Sequence, residues 1–530
     1  MKRHLRNGSA GRTTFLIGFL LILLALCLAT AGCTGEETSP AQGADMTAPA
    51  LKETIDSVMS QDVYKYASWG MMAQDLDSGE VVLAMNDNML FTPGSTTKVF
   101  TVSTVLETLG PDYRFVTPVY REDDTLILVA SGDLAMGGRE RADGTLEFTD
   151  SDHVDAGPFG SCILTETDPL SGLNDLAAQV AASGISSADD VIIDDRLFET
   201  MYFADDNPVT PIVINDNLID ITIAPGKEGE PAQVDWRPKS SAYTIENAIV
   251  TGAIGSEKML SIPDYTGQKT ITITGTMPLD AAPVNTTSHV MVPGVFARSL
   301  FIDALENAGV QVTAPTVGDN PVTKLPEKDS YAPENRVAER TSPPFSEYAK
   351  VTLKVSQNLY ANCLLGIMTA HEGLTNPELG IYGEGLFLES AGVDLNSLSL
   401  NDGEGSTDNR ISPQAAIALV SYMAGTDNYE ILKDAMPLFG VDGTLHSAAE
   451  PGELGYGQIH AKTGTSLGMD MSGNFFAYAR GLLGYMKTAN GTDLGFVIYV
   501  NNVAGLSSME DIFEVISDVN HITVAMYEYL

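Results

Sequence analysis

A chain of 530 residues with 44% hydrophobic and 19% charged residues has apolar side chains enough for a large core and for more than one domain, and its composition excludes intrinsic disorder. Its 29 Lys and Arg against 70 Asp and Glu give a formal charge of −41, which excludes nucleic-acid binding, because that needs a basic face. The acid excess reads as a solvated surface and selects no particular partner.

Lys2, Arg3, Arg6 and Arg12 precede an apolar run from Phe15 to Ala29 that is short for a membrane span. Leu28-Ala29-Thr30-Ala31-Gly32-Cys33 follows and resembles a bacterial lipobox, with Thr30 where Leu is usual. The reading is a lipoprotein-type signal peptide over 1–32, lipidation of Cys33, and a flexible tether over 33–50 rich in Gly, Ser, Thr, Pro and Ala. The protein is then exported and held through its lipid at the outer face of a bacterial cytoplasmic membrane, or secreted. Of the four cysteines, Cys27 lies in the signal and Cys33 is the lipid site; Cys162 and Cys363 make neither a disulfide framework nor a zinc pattern, and the sequence leaves open whether they pair.

From Leu51 the pattern is globular. Leu51 to Met59 reads as a helix, and Gly70 to Leu76, Asp77-Ser78-Gly79-Glu80 and Val81 to Ala84 read as strand, turn and strand. Pro93-Gly94 then stops the chain and Ser95 opens a helix whose apolar face carries Val99, Val102 and Leu106. From about 119 to 333 the chain changes to short apolar runs broken by Gly, Pro, Asn and Asp, such as Leu126 to Val129, Val191 to Ile193, Ile219 to Ile223 and Thr270 to Thr274, with helical patterns at Leu173 to Ala182 and Val295 to Ala308. This reads as a mainly β insert. Helical patterns return from Glu347, with Ser356 to Leu365 near their start, then Pro377 to Ala391 and Pro413 to Ala424. Strands follow at Gly457 to Thr465, Phe475 to Met486 and Gly495 to Val500, and Met509 to Leu530 closes the chain as a helix. Residues 51–118 and 334–530 are therefore expected to form one α/β domain, with 119–333 inserted.

Ser95 and Lys98 are three apart and project from one helix face. A serine hydroxyl needs a base to become a nucleophile, a neutral lysine amine can be that base, and a helix start offers backbone N–H groups to a developing anion. A chain this long yields roughly one S-x-x-K by chance, so the pair alone decides nothing. Ser356-Gln357-Asn358 sets a hydroxyl and an amide two apart, suited to moving a proton and holding a carbonyl. Lys462-Thr463-Gly464-Thr465 lies on an expected strand and offers a cation, two hydroxyls, a backbone N–H and a glycine beside which a substrate backbone can approach. Only ~0.1 K-T-G matches arise by chance.

The order S-x-x-K, S-x-N, K-T-G resembles that of the penicillin-binding proteins and serine β-lactamases. The long gap between Ser95 and Ser356 narrows the resemblance to the D-alanyl-D-alanine carboxypeptidase/endopeptidase family of low-molecular-mass, class C penicillin-binding proteins. Gly110 to Phe115, Ala130-Ser131-Gly132-Asp133, Asp402-Gly403-Glu404-Gly405-Ser406 and Gly440 to Leu445 look like further segments of that family, with Glu404 where it has Ser. The resemblance implies an antiparallel sheet with helices as the catalytic domain. It implies an acyl-enzyme on Ser95, with Lys98 as base and Ser356 as proton relay. Asn358, Lys462, Thr463, Gly464 and Thr465 would bind substrate. The implied partners are peptidoglycan stem peptides and covalent β-lactam inhibitors, and no metal or cofactor is implied.

Other chemistries fit less well. The seven histidines lie outside any G-x-S-x-G context, and no H-E-x-x-H or Cys/His cluster is present. His460, two residues before Lys462, is expected to share its strand face; that would let it line the cleft, but such a histidine is more often a satisfied strand residue than a catalytic one. A wall-peptide-binding lipoprotein without turnover should have lost Ser95 or Lys98, and a β-lactamase or esterase on this fold should lack the long insert.

Overall fold

The structure, a computed structural model, describes residues 48–156, 161–202 and 207–530. The expected signal segment, Cys33 and the tether as far as residue 47 lie outside the described residues. The tether was expected to reach Ala50, but helix α1 (Pro49–Met59) already begins at Pro49, whose fixed φ suits a first helical position. Among the described residues no helix is long and apolar enough to cross a membrane.

Strands β1 (Ser68–Asp75) and β2 (Val81–Met85) lead to one turn of 3-10 helix, Gly94–Thr96, which runs into α2 (Thr97–Thr108). Then come β3 (Val116–Glu122), β4 (Thr125–Val129), α3 (Ser171–Ala182), β5 (Asp190–Asp194), β6 (Leu218–Ala224), β7 (Gln233–Arg237), β8 (Thr244–Gly252), β9 (Met259–Ser261), β10 (Thr270–Pro278), β11 (Val284–His289), α4 (Pro293–Asn307) and β12 (Arg336–Thr341). The last part holds α5 (Phe345–Lys354), α6 (Asn358–His371), α7 (Leu379–Ser390), α8 (Pro413–Ala424) and α9 (Tyr429–Ala435). It ends with β13 (Ile459–Met469), β14 (Phe475–Lys487), β15 (Asp493–Leu506) and α10 (Met509–Tyr529).

The site is built on a five-stranded sheet in the order β13-β14-β15-β1-β2, antiparallel throughout. Its middle strand reads Phe496-Val497-Ile498-Tyr499-Val500, apolar without alternation, because both faces are covered. Phe496, Ile498 and Val500 pack with Leu51, Ile55, Val519 and Ile522 of α1 and α10. Val497 and Tyr499 pack on the other side with Val99, Phe100 and Val102 of α2 and with Ile417 and Val420 of α8. That second face holds α2 against β13, which brings the first and third motifs together.

Residues between β3 and β12 build a core of their own, in which Leu173, Leu176 and Val180 of α3 and Phe296, Leu300 and Phe301 of α4 meet Val191, Ile219, Ile221, Ile271 and Ile273. Its sheet runs β12-β3-β4-β5, with β4 and β5 parallel. The chain leaves along β3 and returns along β12 as antiparallel neighbours, Val116 opposite Thr341 and Thr117 opposite Arg340. Cys162 and Cys363 are both free and buried.

The helical patterns expected from Glu347, with Ser356 to Leu365 among them, form two helices: α5 stops at Lys354 and α6 starts at Asn358, which leaves Ser356 outside both. Ser356 between them has φ +63, a left-handed conformation unfavourable for a residue with a side chain. Gln357 caps α6, its Oε1 accepting from the Leu359 N–H at 3.0 Å. Backbone strain of this kind concentrates where a side chain must be aimed.

Candidate active site

Ser95 stands in the 3-10 turn that precedes α2, and Lys98 is one turn on, fully buried at 0% exposure. Thr96 and Thr97 tie the turn down by donating to Pro93 O at 3.0 Å and Gly94 O at 3.1 Å. Lys98 Nζ donates to Ser95 Oγ at 3.0 Å, to Asn358 Oδ1 at 2.6 Å and to the Glu404 carbonyl at 2.8 Å. One amine thus joins the first motif, the second motif and the Asp402–Ser406 loop.

That loop is shaped by Asp402, whose Oδ1 accepts from the N–H groups of Glu404 at 3.1 Å and Gly405 at 2.7 Å, and from Asn409 Nδ2 at 2.9 Å. Gly405 has φ +103, and a Cβ there would sit 1.9 Å from Gly94 O. The loop lies directly on the Ser95 turn, a contact only glycine allows. On the other side a Cβ on Gly464 would sit 2.2 Å from Pro93 O, and one on Gly94 would sit 2.9 Å from Thr465 N. The K-T-G strand and the serine turn are in backbone contact, with the Thr465 amide beside the turn.

Lys462 is fully buried and donates to the Thr463 carbonyl at 2.9 Å. Thr463 Oγ1 pairs with Thr444 Oγ1 at 2.8 Å, which gives the Gly440 to Leu445 segment its place. Thr465 Oγ1 accepts from Arg480 Nη1 at 3.0 Å. Ser95, Ser356, Asn358, Thr463 and Thr465 line one cleft of about 460 Å³. His460 is not part of it. It lines a separate hollow with Tyr429, Lys433 and Tyr485, its Nδ1 3.0 Å from the Lys433 carbonyl. Residues two apart share a strand face, but the cleft takes in Thr463 and Thr465 from the alternate positions.

Two buried groups of the site escaped the sequence reading. Asp216 lies in a run, Asn215-Asp216-Asn217, with φ of 51, 55 and 55. Its carboxylate accepts from Tyr360 OH at 2.7 Å and Gln357 Nε2 at 3.2 Å. It also holds Arg139 and His153, which reach on to Asp152 and Asp220. Burial opposes a charge on His153, but Asp220 and Asp216 outweigh it and raise its pKa to about 10. Asp152, His153 and Asp216 present ligand-type atoms within 4.8 Å of one another, yet their carboxylates already carry the Arg139 guanidinium. The network ties the segment before β6 to the cap of α6, and so to Ser356. The second group is Glu384 of α7, fully buried, which accepts from Thr101 Oγ1 at 3.4 Å, one turn beyond Lys98. Burial, with the nearby Asp402 charge adding to it, pushes Glu384 up to about 8. An acid set among the apolar residues between Ile381 and Leu388 was the available signal for Glu384; the three polar residues at 215–217 carried none that points to Ser356.

A model of the D-Ala-D-Ala carboxypeptidase 3 (S13) family matches residues 51–520. The chain belongs to that family. It is 28% identical over 512 residues to a D-alanyl-D-alanine carboxypeptidase of an Actinomadura strain, covering 92% of this chain and 88% of the relative. It is 21% identical over 482 residues to a D-alanyl-D-alanine carboxypeptidase of Haemophilus influenzae, covering 86% and 89%. The crystal structure of penicillin binding protein 4 from Haemophilus influenzae superimposes with a TM-score of 0.65 at 17% identity, covering 90% of this chain and 99% of that one. That protein has also been solved with a β-lactam bound, with a TM-score of 0.64. The expected family, the penicillin-binding-protein fold and the class of serine-type carboxypeptidase are borne out.

Proposed function

We propose that this S13 carboxypeptidase cleaves the terminal peptide bond of D-alanyl-D-alanine stem peptides through an ester on Ser95. The observation that carries the assignment is the 3.0 Å contact between Lys98 Nζ and Ser95 Oγ inside a buried network; in the neutral amine that acts as base, the nitrogen lone pair accepts from the serine hydroxyl along this contact. Ser95 Oγ attacks the carbonyl and its proton passes to Lys98. The N–H groups of Ser95 and Thr465 face the oxyanion, a stabilisation worth about 10²–10³ in rate per donor. Ser356 relays the proton from Lys98 to the departing D-alanine nitrogen as the C–N bond breaks. Asn358 orients Lys98 through its Oδ1 and turns its amide nitrogen to the acyl group, while Lys462, Thr463 and Thr465 receive the terminal carboxylate. Water, or an amine of a second peptide, then opens the ester. A β-lactam follows the first half of this course and stalls as the ester, because its ring keeps the leaving nitrogen attached.

Residues 119–333 are proposed as a module inserted into the catalytic domain of 51–118 and 334–530, a reading supported by their separate core and by the pairing of β3 with β12. Export, with lipid on Cys33 holding the enzyme at the membrane face where peptidoglycan lies, is supported by the sequence of residues 1–33. Release of D-alanine from an acyl-D-alanyl-D-alanine peptide tests the activity: wild type should release it, and Ser95→Ala should not. Release by Ser95→Ala at the wild-type rate would refute the assignment.

A further inference from the structure

Arg480 lies opposite Thr465 in the register of β13 and β14, so the two side chains share a face of the sheet. It is only 5% exposed, within a strand that is otherwise apolar from Ala479 to Met486. Among the described residues two other arginines are as deeply buried, and each has an acid: Arg139 has Asp152 and Asp216, and Arg298 has Asp190. Arg480 has none among the described residues. Its Nη1 donates to Thr465 Oγ1, and its Nε has no acceptor. Burying an unpaired cation is costly, and acids outnumber bases by 70 to 29 in this chain, so the missing partner stands out. Arg480 also lines the cleft with Ser95 and Ser356. Burial alone draws its pKa down to about 10, which leaves it charged at neutral pH.

We infer that Arg480, with the Thr465 hydroxyl it orients, is the anion subsite that binds the terminal carboxylate of the substrate and the carboxylate of a β-lactam. The inference rests on the proposed acylation of Ser95 and names the charge that selects its substrate. Arg480 then joins Lys462, Thr463 and Thr465 at that carboxylate and supplies a guanidinium on the lining of the cleft. A planar fork with free donors suits a carboxylate.

The test compares two acyl donors, a D-alanyl depsipeptide ending in a carboxylate and the same compound ending in a carboxamide. The readout is the ratio of their kcat/KM values. Wild type should favour the carboxylate, and Arg480→Gln should lower that ratio by about 10- to 100-fold, the loss expected for one charge-assisted pair. Arg480→Lys should keep part of the preference and guards against a folding defect in Arg480→Gln. An unchanged ratio in Arg480→Gln, whatever the overall rates, would overturn the inference. In Ser95→Ala protein, equilibrium binding of acetyl-D-alanyl-D-alanine against its amide reads the subsite without turnover. Loss of the carboxylate preference there on adding Arg480→Gln supports the subsite even if the assignment of Ser95 fails, and an unaltered preference overturns it.

Discussion

Asn358 Oδ1 accepts from Lys98 Nζ at 2.6 Å, closer than the 3.0 Å that separates Lys98 from Ser95. The second motif thus holds the amine that the first motif uses. Asn358→Ala should keep the fold and slow acylation by up to roughly 10-fold, the loss of one hydrogen bond that positions the amine. Asn358→Asp is more telling. An added carboxylate favours protonated Lys98 and so raises its pKa. The base form then appears only at higher pH, and the acylation profile should move to alkaline pH relative to wild type. An unmoved profile in Asn358→Asp would separate Asn358 from the base.

Three backbones meet around Ser95 through glycine, and this yields a contrast. A Cβ at Gly405 would meet Gly94 O at 1.9 Å, at a φ of +103, whereas a Cβ at Gly383 in α7 would meet nothing within 4 Å. Gly405→Ala should cost more than ~2 kcal/mol and disable acylation, because backbone must move. Gly383→Ala should be neutral or stabilise by up to about 1 kcal/mol, as expected for glycine replaced inside an exposed helix. Thermal melts of the two variants give the comparison, and equal melting points would contradict the packing described.

Glu384 predicts a pH effect on stability. Its pKa is raised to about 8 in the folded chain, against about 4.3 for an ordinary glutamate. The folded state therefore holds the proton more tightly. This stability is full below the ordinary value and is lost as pH rises through about 8, at up to ~1.4 kcal/mol per pH unit. Glu384→Gln keeps the shape and cannot ionise. Its melting temperature relative to wild type should climb as pH goes from 5 to 9 (roughly the range the raised carboxyl spans). A constant difference would mean that Glu384 is not buried neutral.

The Asp216 network predicts that the chain segment before β6 steers the second motif. Asp216→Asn leaves Arg139 and His153 facing one carboxylate fewer. Removing one partner of a buried ion pair typically costs about 3–5 kcal/mol. Stability should fall, and acylation should fall further than in an equally destabilised variant of the α3–α4 core such as Leu300→Ala. Matched acylation in the two would show that Asp216 serves stability only.

Most of the architecture was legible because period is a local property: α2, α8 and the alternating strands of 119–333 stand where expected, the three motifs keep their order, and the third lies on its expected strand. The break at Ser356 was not legible, since it is fixed by the contact of Gln357 with Asp216, 141 residues away. For His460 alternation gives the strand face it shares with Lys462 but not which face borders the cleft, and its ring lies against the Lys433 carbonyl instead. Arg480 was visible as a charge in an apolar strand, but only the register with Thr465 and the missing acid give it meaning. Pairings distant in sequence carry the site, and no local pattern encodes them.

The central claim is that Ser95 is acylated with Lys98 as its base, and intact-protein mass spectrometry after timed exposure to a penicillin tests it most directly. Wild type should gain one penicilloyl mass, mapped by peptide digestion to Ser95. Lys98→Arg keeps the charge but cannot supply a neutral base, so its labelling should slow by about 10²–10⁴-fold while its melt stays cooperative. An adduct on another residue, or labelling of Lys98→Arg at the wild-type rate, would contradict the account.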